Sequence, residues 1–329
     1  MKRHVATLIF ALCCAGAQAQ VPTPVELEVV EIAKKAASGA ADAKAELERR
    51  AQGGETLAEH FMGVLYAGGK GVPPSDTQAV DWFTRAAKKG HVESMHNLAV
   101  ILSRTPGNLK DPQAARSWYR AAAEKGYARS QAGYAEMLAA GAGGPVDRDE
   151  ARIWIQKAAA QNEPRGQYLL GMLHIEGGAG IDYNVAEGAR LLGHAAEAGE
   201  ADAQFEFAML NGTGTGIPKS DVKALEWLRK SAGQGQKKAQ YYLGGAFRYG
   251  KYGLPRDDKQ AVMWLRRSAL QEYGDAEYAL GLAYFEGWGV ARDPGEAFGW
   301  FRRSARHGNA EALQVVRRIE SQLKPPAAQ

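Results

Sequence analysis

The sequence predicts an all-α solenoid of about seven tandem helix pairs, and three observations predict it. A tryptophan returns about every thirty-six residues: Trp82, Trp118, Trp154, then Leu191 in its place, then Trp227, Trp264 and Trp300, in steps of 36, 36, 37, 36, 37 and 36. A period in that range marks supersecondary units that bury their apolar faces only against neighbours. Small residues surround each tryptophan. Three positions before it stand Ala79, Ala115, Ala151, Ala224, Ala261 and Ala297, with Gly188 in the Leu191 unit, and after it comes a pair such as Ala86-Ala87 or Ser304-Ala305. The third observation is punctuation: eight residues past the tryptophan stands Gly90, Gly126, Gly199, Gly235 or Gly308, the left-handed stop of a helix.

The first nineteen residues are expected to be a cleaved export signal. Lys2 and Arg3 precede the apolar run Val5 to Ala15, too short to span a bilayer, and Ala17-Gln18-Ala19 is an A-x-A site that leaves Gln20 as the new terminus. Leu12 and Cys13 fit poorly before a lipidated cysteine. Cys13 and Cys14, the two cysteines of the chain, leave with this segment, so the mature chain has neither thiol nor disulfide. Residues 20–57 are read as N-terminal capping helices, Val25 to Ala37 and Asp42 to Ala51, divided by Gly39.

Residues 58–309 carry the repeats. Each opens with a helix whose packed face holds a small residue at its start and a glycine five positions on, as in Ala58, Met62, Gly63, Tyr66 and Ala276, Leu280, Gly281, Tyr284. A glycine turn follows (Gly69, Gly71; Gly287, Gly289). The second helix starts at a cap: Asp111-Pro112 and Asp293-Pro294 read as N-cap and N1, and Ser75 with Gln78, Asp147 with Glu150, Asp257 with Gln260 and Asp293 with Glu296 have capping-box spacing. On this second helix the tryptophan, between alanine notches, is expected to be the knob packed against a neighbouring helix. Asn162 and Glu272 replace the stop glycine in two units, and Glu272 leaves its helix end uncertain by a residue or two. Residues 310–329 are expected to form a C-terminal capping helix and tail.

The string Ala-x-x-x-Leu-Gly-x-x-Tyr-x-x-Gly-x-Gly-Val, an acidic cap, then Ala-x-x-Trp-Phe-x-Arg-x-Ala and a closing Gly resembles the Sel-one-like repeat, a branch of the tetratricopeptide superfamily. The resemblance runs from residue 58 to about 309. The second repeat departs from it at Ala99, Leu102 and Pro106-Gly107-Asn108, the fourth has lost its tryptophan, and the sixth carries an extra loop residue near Tyr252-Gly253. The resemblance implies a right-handed αα superhelix used as a protein-binding adaptor, often in bacterial envelopes.

Charge argues against nucleic acid as a partner: removing Lys2 and Arg3 leaves 39 basic against 37 acidic side chains. It is uneven, with 24 basic and 27 acidic over residues 20–236 but 15 and 10 over 237–329. Two candidate binding features follow. Arg266, Arg267, Arg302 and Arg303 form basic pairs just after tryptophans, either a site for an acidic partner or a solvated face. Tyr168, Phe205, Tyr241 and Tyr278 recur two residues after the opening small residue, where the first three repeats hold His60, His96 and Ala132. These rings form a stacking strip or pack between neighbouring helices.

Catalytic motifs are weak. Ser220-Asp221-Val222-Lys223 has the S-x-x-K spacing of penicillin-interacting serine enzymes, but it lacks S-D-N and K-T-G companions, and Ser220 stands where other repeats cap a helix. Relatives described as binding or hydrolysing β-lactams carry a disulfide in each repeat, which this chain lacks. His60, His91, His96, His174, His194 and His307 never take metal-ligand spacing, and Gly212, Gly214 and Gly216 are a glycine turn rather than a phosphate loop. No cofactor or metal is expected. The sequence thus points to a non-enzymatic periplasmic or secreted scaffold that binds a protein and has no membrane span after cleavage. A module for envelope glycan or peptidoglycan is the alternative, and a β-lactam hydrolase built on Ser220 and Lys223 is the least supported.

Overall fold

The structure is a computed structural model that describes residues 22–105, 107–178 and 180–323. The expected export segment, its cleavage site and both cysteines lie outside the described residues, as does the tail from 324. Among the described residues there are seventeen helices and no strand. Two lead, α1 (Pro24–Ala37) and α2 (Ala41–Gln52). Seven pairs follow: α3 (Thr56–Gly68) with α4 (Asp76–Lys88), α5 (Val92–Arg104) with α6 (Pro112–Glu124), α7 (Ala128–Ala140) with α8 (Arg148–Ala160), α9 (Pro164–Glu176) with α10 (Val185–Glu197), α11 (Ala201–Thr213) with α12 (Asp221–Gly233), α13 (Lys237–Tyr249) with α14 (Asp258–Ala269), and α15 (Gly274–Glu286) with α16 (Pro294–Arg306). The last helix is α17 (Ala310–Leu323). The architecture is an all-α solenoid. Its packing gathers into two compact units, one holding the chain up to Leu173 with Gly177–Asp182, the other His174–Glu176 and the chain from Tyr183.

Helix starts follow the sequence. Ser75, Asp111, Asp147, Asn184, Ser220, Asp257 and Asp293 cap the second helices, each accepting the backbone N–H three residues on at 2.9–3.3 Å. A second bond fixes each turn. The backbone N–H of the same cap residue donates to a carbonyl near the end of the first helix: Ser75 to Tyr66, Asp111 to Leu102, Asp147 to Leu138, Asn184 to His174, Ser220 to Asn211, Asp257 to Phe247 and Asp293 to Tyr284. The stops also appear as left-handed residues, and Asn162 (φ 58°) and Glu272 (φ 59°) adopt the conformation that glycine takes elsewhere. The helix before Glu272, α14, is one residue shorter than the second helices of the other repeats.

The tryptophans are not the core knobs. Trp82, Trp118, Trp154, Trp227 and Trp264 are half-buried, and only Trp300 is well covered, at 8% exposed. The residue buried in every repeat is the next one, Phe83, Tyr119, Ile155, Leu192, Leu228, Leu265 and Phe301, with Leu191 also buried in the fourth repeat. Helical geometry explains the correction. At roughly 100° per residue, the small residues three before and four and five after the tryptophan share a sector centred near the residue that follows it. The tryptophan lies on the edge of that sector. The first helix of the pair makes room for the buried residue by giving up its own side chain: a Cβ on Gly63 would sit 2.6 Å from the Phe83 ring, and one on Gly281 2.6 Å from Phe301.

In the first unit the core runs from Val29, Leu47 and Met62 to Leu98, Tyr119, Leu138 and Ile155. In the second it gathers around Phe205, Leu228 and Leu243, then Leu280 and Trp300, then Phe301 with Val316. There the serines of the small pairs tie each second helix to the start of its partner, Ser231 to the Ala201 carbonyl, Ser268 to Lys237 and Ser304 to Gly274, each at 2.7 Å.

Two stability outcomes follow. Phe83→Ala should cost about 3–5 kcal/mol, as for a fully buried aromatic, whereas Trp82→Ala should cost about half that or less. Gly281→Ala should destabilise by about 1–3 kcal/mol through overpacking against Phe301. Chemical denaturation monitored by circular dichroism checks all three, and equal losses at Phe83 and Trp82 would contradict the packing order.

Candidate binding surface

Five of the six repeat tryptophans carry a cation one turn on, and Trp118 has Ala121 at that place. Arg85 lies 4.6 Å from the Trp82 ring centre, Lys157 4.0 Å from Trp154, Lys230 3.9 Å from Trp227, Arg267 4.5 Å from Trp264 and Arg303 5.0 Å from Trp300. Spacing of i, i+3 places each cation over the face of its ring. The basic pairs of the last two repeats therefore divide their work. Arg267 and Arg303 cover tryptophans, Arg266 donates to the Tyr284 hydroxyl at 2.5 Å, and Arg302 lies 5.9 Å from the Phe298 ring. All four arginines remain exposed on α14 and α16.

The aromatic strip is largely interior. Phe205 is buried and meets the Tyr242 ring at 5.3 Å; Tyr278 is half-buried against Phe301 at 5.6 Å. Tyr241 lies between Tyr242 and Tyr273, 5.4 Å from each, and burial raises the pKa of its hydroxyl. Tyr168, in the first unit, is half-buried beneath the Arg165 guanidinium at 4.7 Å. The rings that do reach solvent in the second unit are Tyr183 (68% exposed), in the turn before α10, and Tyr242 (44%), Tyr249 (72%) and Phe285 (49%) on α13 and α15. Tyr242 and Tyr249 stand seven apart on α13, so they share one helix face. That spacing is their sequence signal, and Tyr241 beside them is half-buried.

Sequence reasoning also missed a buried polar ladder. Just after the opening small residue stand Glu59, Gln131, Gln167, Gln204, Gln240 and Glu277, all nearly inaccessible. Most meet the residue seven positions past the tryptophan. Lys89 donates to both Glu59 oxygens at 2.8 Å, Gln161 to Gln131 at 2.8 Å, Gln234 to Gln204 at 2.8 Å and Gln271 to Gln240 at 2.9 Å, while His307 Nδ1 lies 2.7 Å from Glu277. The buried amides donate in turn to carbonyls eight residues earlier, of Ala123, Ala196 and Ala232. A polar residue at both places in the same repeat is the signal that marks these pairs. At the last one, Glu277 and His307 line a shallow depression of about 310 Å³ with Arg303, Arg306 and Glu272.

The Ser220 hydroxyl is occupied as the cap of α12, accepting the Lys223 backbone N–H at 3.3 Å. Gly214 and Gly216 form the expected left-handed turn. Among the described residues no three His, Cys, Asp or Glu side chains converge as a metal site, and no helix is long and apolar enough to cross a membrane.

These features define a helix-pair repeat protein with an exposed, partly aromatic surface. Comparison with known families matches the Sel1 repeat model in seven consecutive stretches, residues 56–91, 92–127, 128–163, 164–200, 201–236, 237–273 and 274–309. The chain belongs to the Sel1 repeat family. Among solved structures it is similar to a protective antigen present in uropathogenic Escherichia coli strains that displays an SLR fold, with 29% identity and a TM-score of 0.56 over 91% of this chain. The chain spans 65% of the length of that protein. It is also similar to a Sel1 repeat protein from Oxalobacter formigenes, with 26% identity and a TM-score of 0.58 over 95% of this chain and 98% of that one. No curated protein matches the sequence. Sel1 repeat proteins generally mediate protein–protein interaction and are typically non-catalytic scaffolds.

The ladder and the stacked cations should separate in a stability series. Lys89→Met leaves the Glu59 carboxylate buried without its counter-charge and should cost about 3 kcal/mol. Arg267→Ala removes an exposed stack and should cost less than about 1 kcal/mol. Thermal melts of the two variants beside the parent measure the difference.

Proposed function

We propose that this chain is an exported, non-enzymatic adaptor that holds a protein partner on the second unit, around Tyr242, Tyr249 and Phe285. The observation that carries the reading is the exposure of these rings on the first helices of the last two repeats, where the neighbouring Tyr241 and Tyr278 are half-buried against other rings. Exposed tyrosines supply contact area at low entropic cost, and rings of this kind dominate protein interfaces. They lie in the segment where basic side chains exceed acidic ones, 15 to 10 over residues 237–329. Arg266 and Arg302, which do not cover a tryptophan, add an electrostatic contribution for an acidic partner. Export rests on the sequence of residues 1–19, and the compartment proposed is the periplasm or the cell exterior.

Capture from envelope extracts by the immobilised chain tests the surface. Replacing Tyr242 and Tyr249 by Ser should weaken capture of the recovered partner by about tenfold or more at every ionic strength. Replacing Arg266 and Arg302 by Ser should weaken it at low salt and little at high salt. Unchanged capture in both variants removes the site from the second unit. The same exposed rings also suit the face of a sugar, so co-sedimentation with purified sacculi in the absence of protein, lost in the tyrosine variant, would favour the glycan reading instead. Cell fractionation with N-terminal sequencing tests export, the expected first residue being Gln20.

A further inference from the structure

Three histidines of the first two repeats are half-buried where successive repeats meet, and binding on the second unit uses none of them. His60 lies on α3, His91 caps α5, and His96 follows within α5. The His60 and His91 ring centres are 4.5 Å apart, and both rings bring Nδ1 to the Ser94 hydroxyl, at 2.9 and 3.0 Å. Ser94 is fully buried. The Nδ1 of His91 also accepts the Ser94 backbone N–H at 3.3 Å. A ring nitrogen that accepts an N–H carries a lone pair, so His91 works as a cap only with Nδ1 unprotonated. The Ser94 hydroxyl can then donate to His91 and accept from Nδ1–H of His60, which completes the chain with both rings neutral.

A proton on His91 removes the lone pair that caps α5 and sets positive charge at a helix N-terminus, where the macrodipole repels it. A proton on His60 adds a second cation beside the first, in a space closed by Phe61 and Phe83. The charged neighbours offer little relief. Glu59 of α3 and Lys89, just past α4, are engaged with each other. Glu93 of α5 lies 3.6 Å from His91 Nε2, but on a solvent-exposed side chain. Arg104 of α5 and Arg129 of α7 face His96 with the wrong sign. His96 repeats the arrangement one unit on, with Nδ1 3.0 Å from the buried Ser130 hydroxyl between the rings of Tyr119 and Tyr127. Histidine–serine contacts thus join α3 to α5 and α5 to α7, across the seams between successive repeats.

We propose that the seam between the first and second repeats is an acid-sensitive latch: protonation of the His60–His91 pair withdraws the cap of α5 and releases α3 and α4 from the repeats that follow. Burial holds His60 and His91 below the usual imidazole range and His96 at about 3. An opened seam takes up protons from about pH 6.5 downward, while the closed one resists them. The stability contributed by the neutral rings is therefore complete above about pH 6.5 and declines as the pH falls below it.

Hydrogen exchange of the full chain at pH 7.5 and 5.5, corrected for intrinsic rates, reads the seam peptide by peptide. Amides of α3, α4 and α5 should lose protection by up to about tenfold for each of the two histidines that the opened seam protonates, because pH 5.5 lies about one unit below the open-state pKa, while those of α13 to α15 keep theirs. In the variant carrying His60→Gln and His91→Asn, which keeps a capping oxygen that does not titrate, the loss in α3 and α4 should vanish, while α5 keeps only what His96 contributes. Equal protection of α3 to α5 at the two pH values in the parent overturns the latch, as does an equal loss in the double variant. If that variant does not fold, the parent profile decides.

Discussion

Each repeat depends on one steric arrangement, a side chain of minimal size on the first helix set against the bulky residue that follows the tryptophan on the second. Gly63 facing Phe83 and Gly281 facing Phe301 show it in its closest form, and Gly244 facing Leu265 repeats it. The second, third and fifth repeats hold Ala99, Ala135 and Ala208 at the same position, all fully buried, and the fourth holds the buried Gly171. Close approach of the helix axes brings the second helix near enough for its terminal side chain to reach the buried amide or carboxylate of the first. Shape thus comes before polarity here, because Gln271 and Gln240 meet only where the backbones allow it.

The tryptophan has a different task. It lies at the margin of the packed sector and, everywhere but at Trp118, turns its face to a lysine or arginine, which shields the ring from water without taking a charge into the interior. A large apolar residue kept at the boundary in this way adds little sticky surface. That explains why the exposed rings of the second unit stand apart from the repeating pattern.

The repeat frame was legible because local rules act on a few residues at fixed spacing. Asp111, Asp147, Ser220 and Asp293 cap helices where the sequence placed them, and Asn162 turns left-handed as a stop residue should. Helical arithmetic on the alanines would also have put Phe83 rather than Trp82 in the core, but the conspicuous residue drew the assignment. The candidate surface was less legible. Tyr241 and Tyr242 are adjacent and chemically identical, and only the rotation of α13 against its neighbours decides which one meets solvent. The pairing of Glu59 with Lys89 joins residues thirty positions apart, so its sequence signal, a polar residue at both places of one repeat, gains meaning from the closure of the helix pair.

The backbone bond that closes each turn governs how the array tolerates growth. It runs from a cap N–H to a carbonyl nine residues back in five repeats, and ten back in the two that join His174 to Asn184 and Phe247 to Asp257. Those two repeats are the ones whose tryptophan position arrives a residue late, at Leu191 and Trp264. Because only main-chain atoms make the closure, an extra residue is taken up within the turn, as around Tyr252, which has a φ of 57° and a ring still packed on the core, and the turn closes on the same cap N–H. The turns are therefore the places where lineages of such a protein are free to lengthen, acquiring new chemistry at the rim without renegotiating the interior.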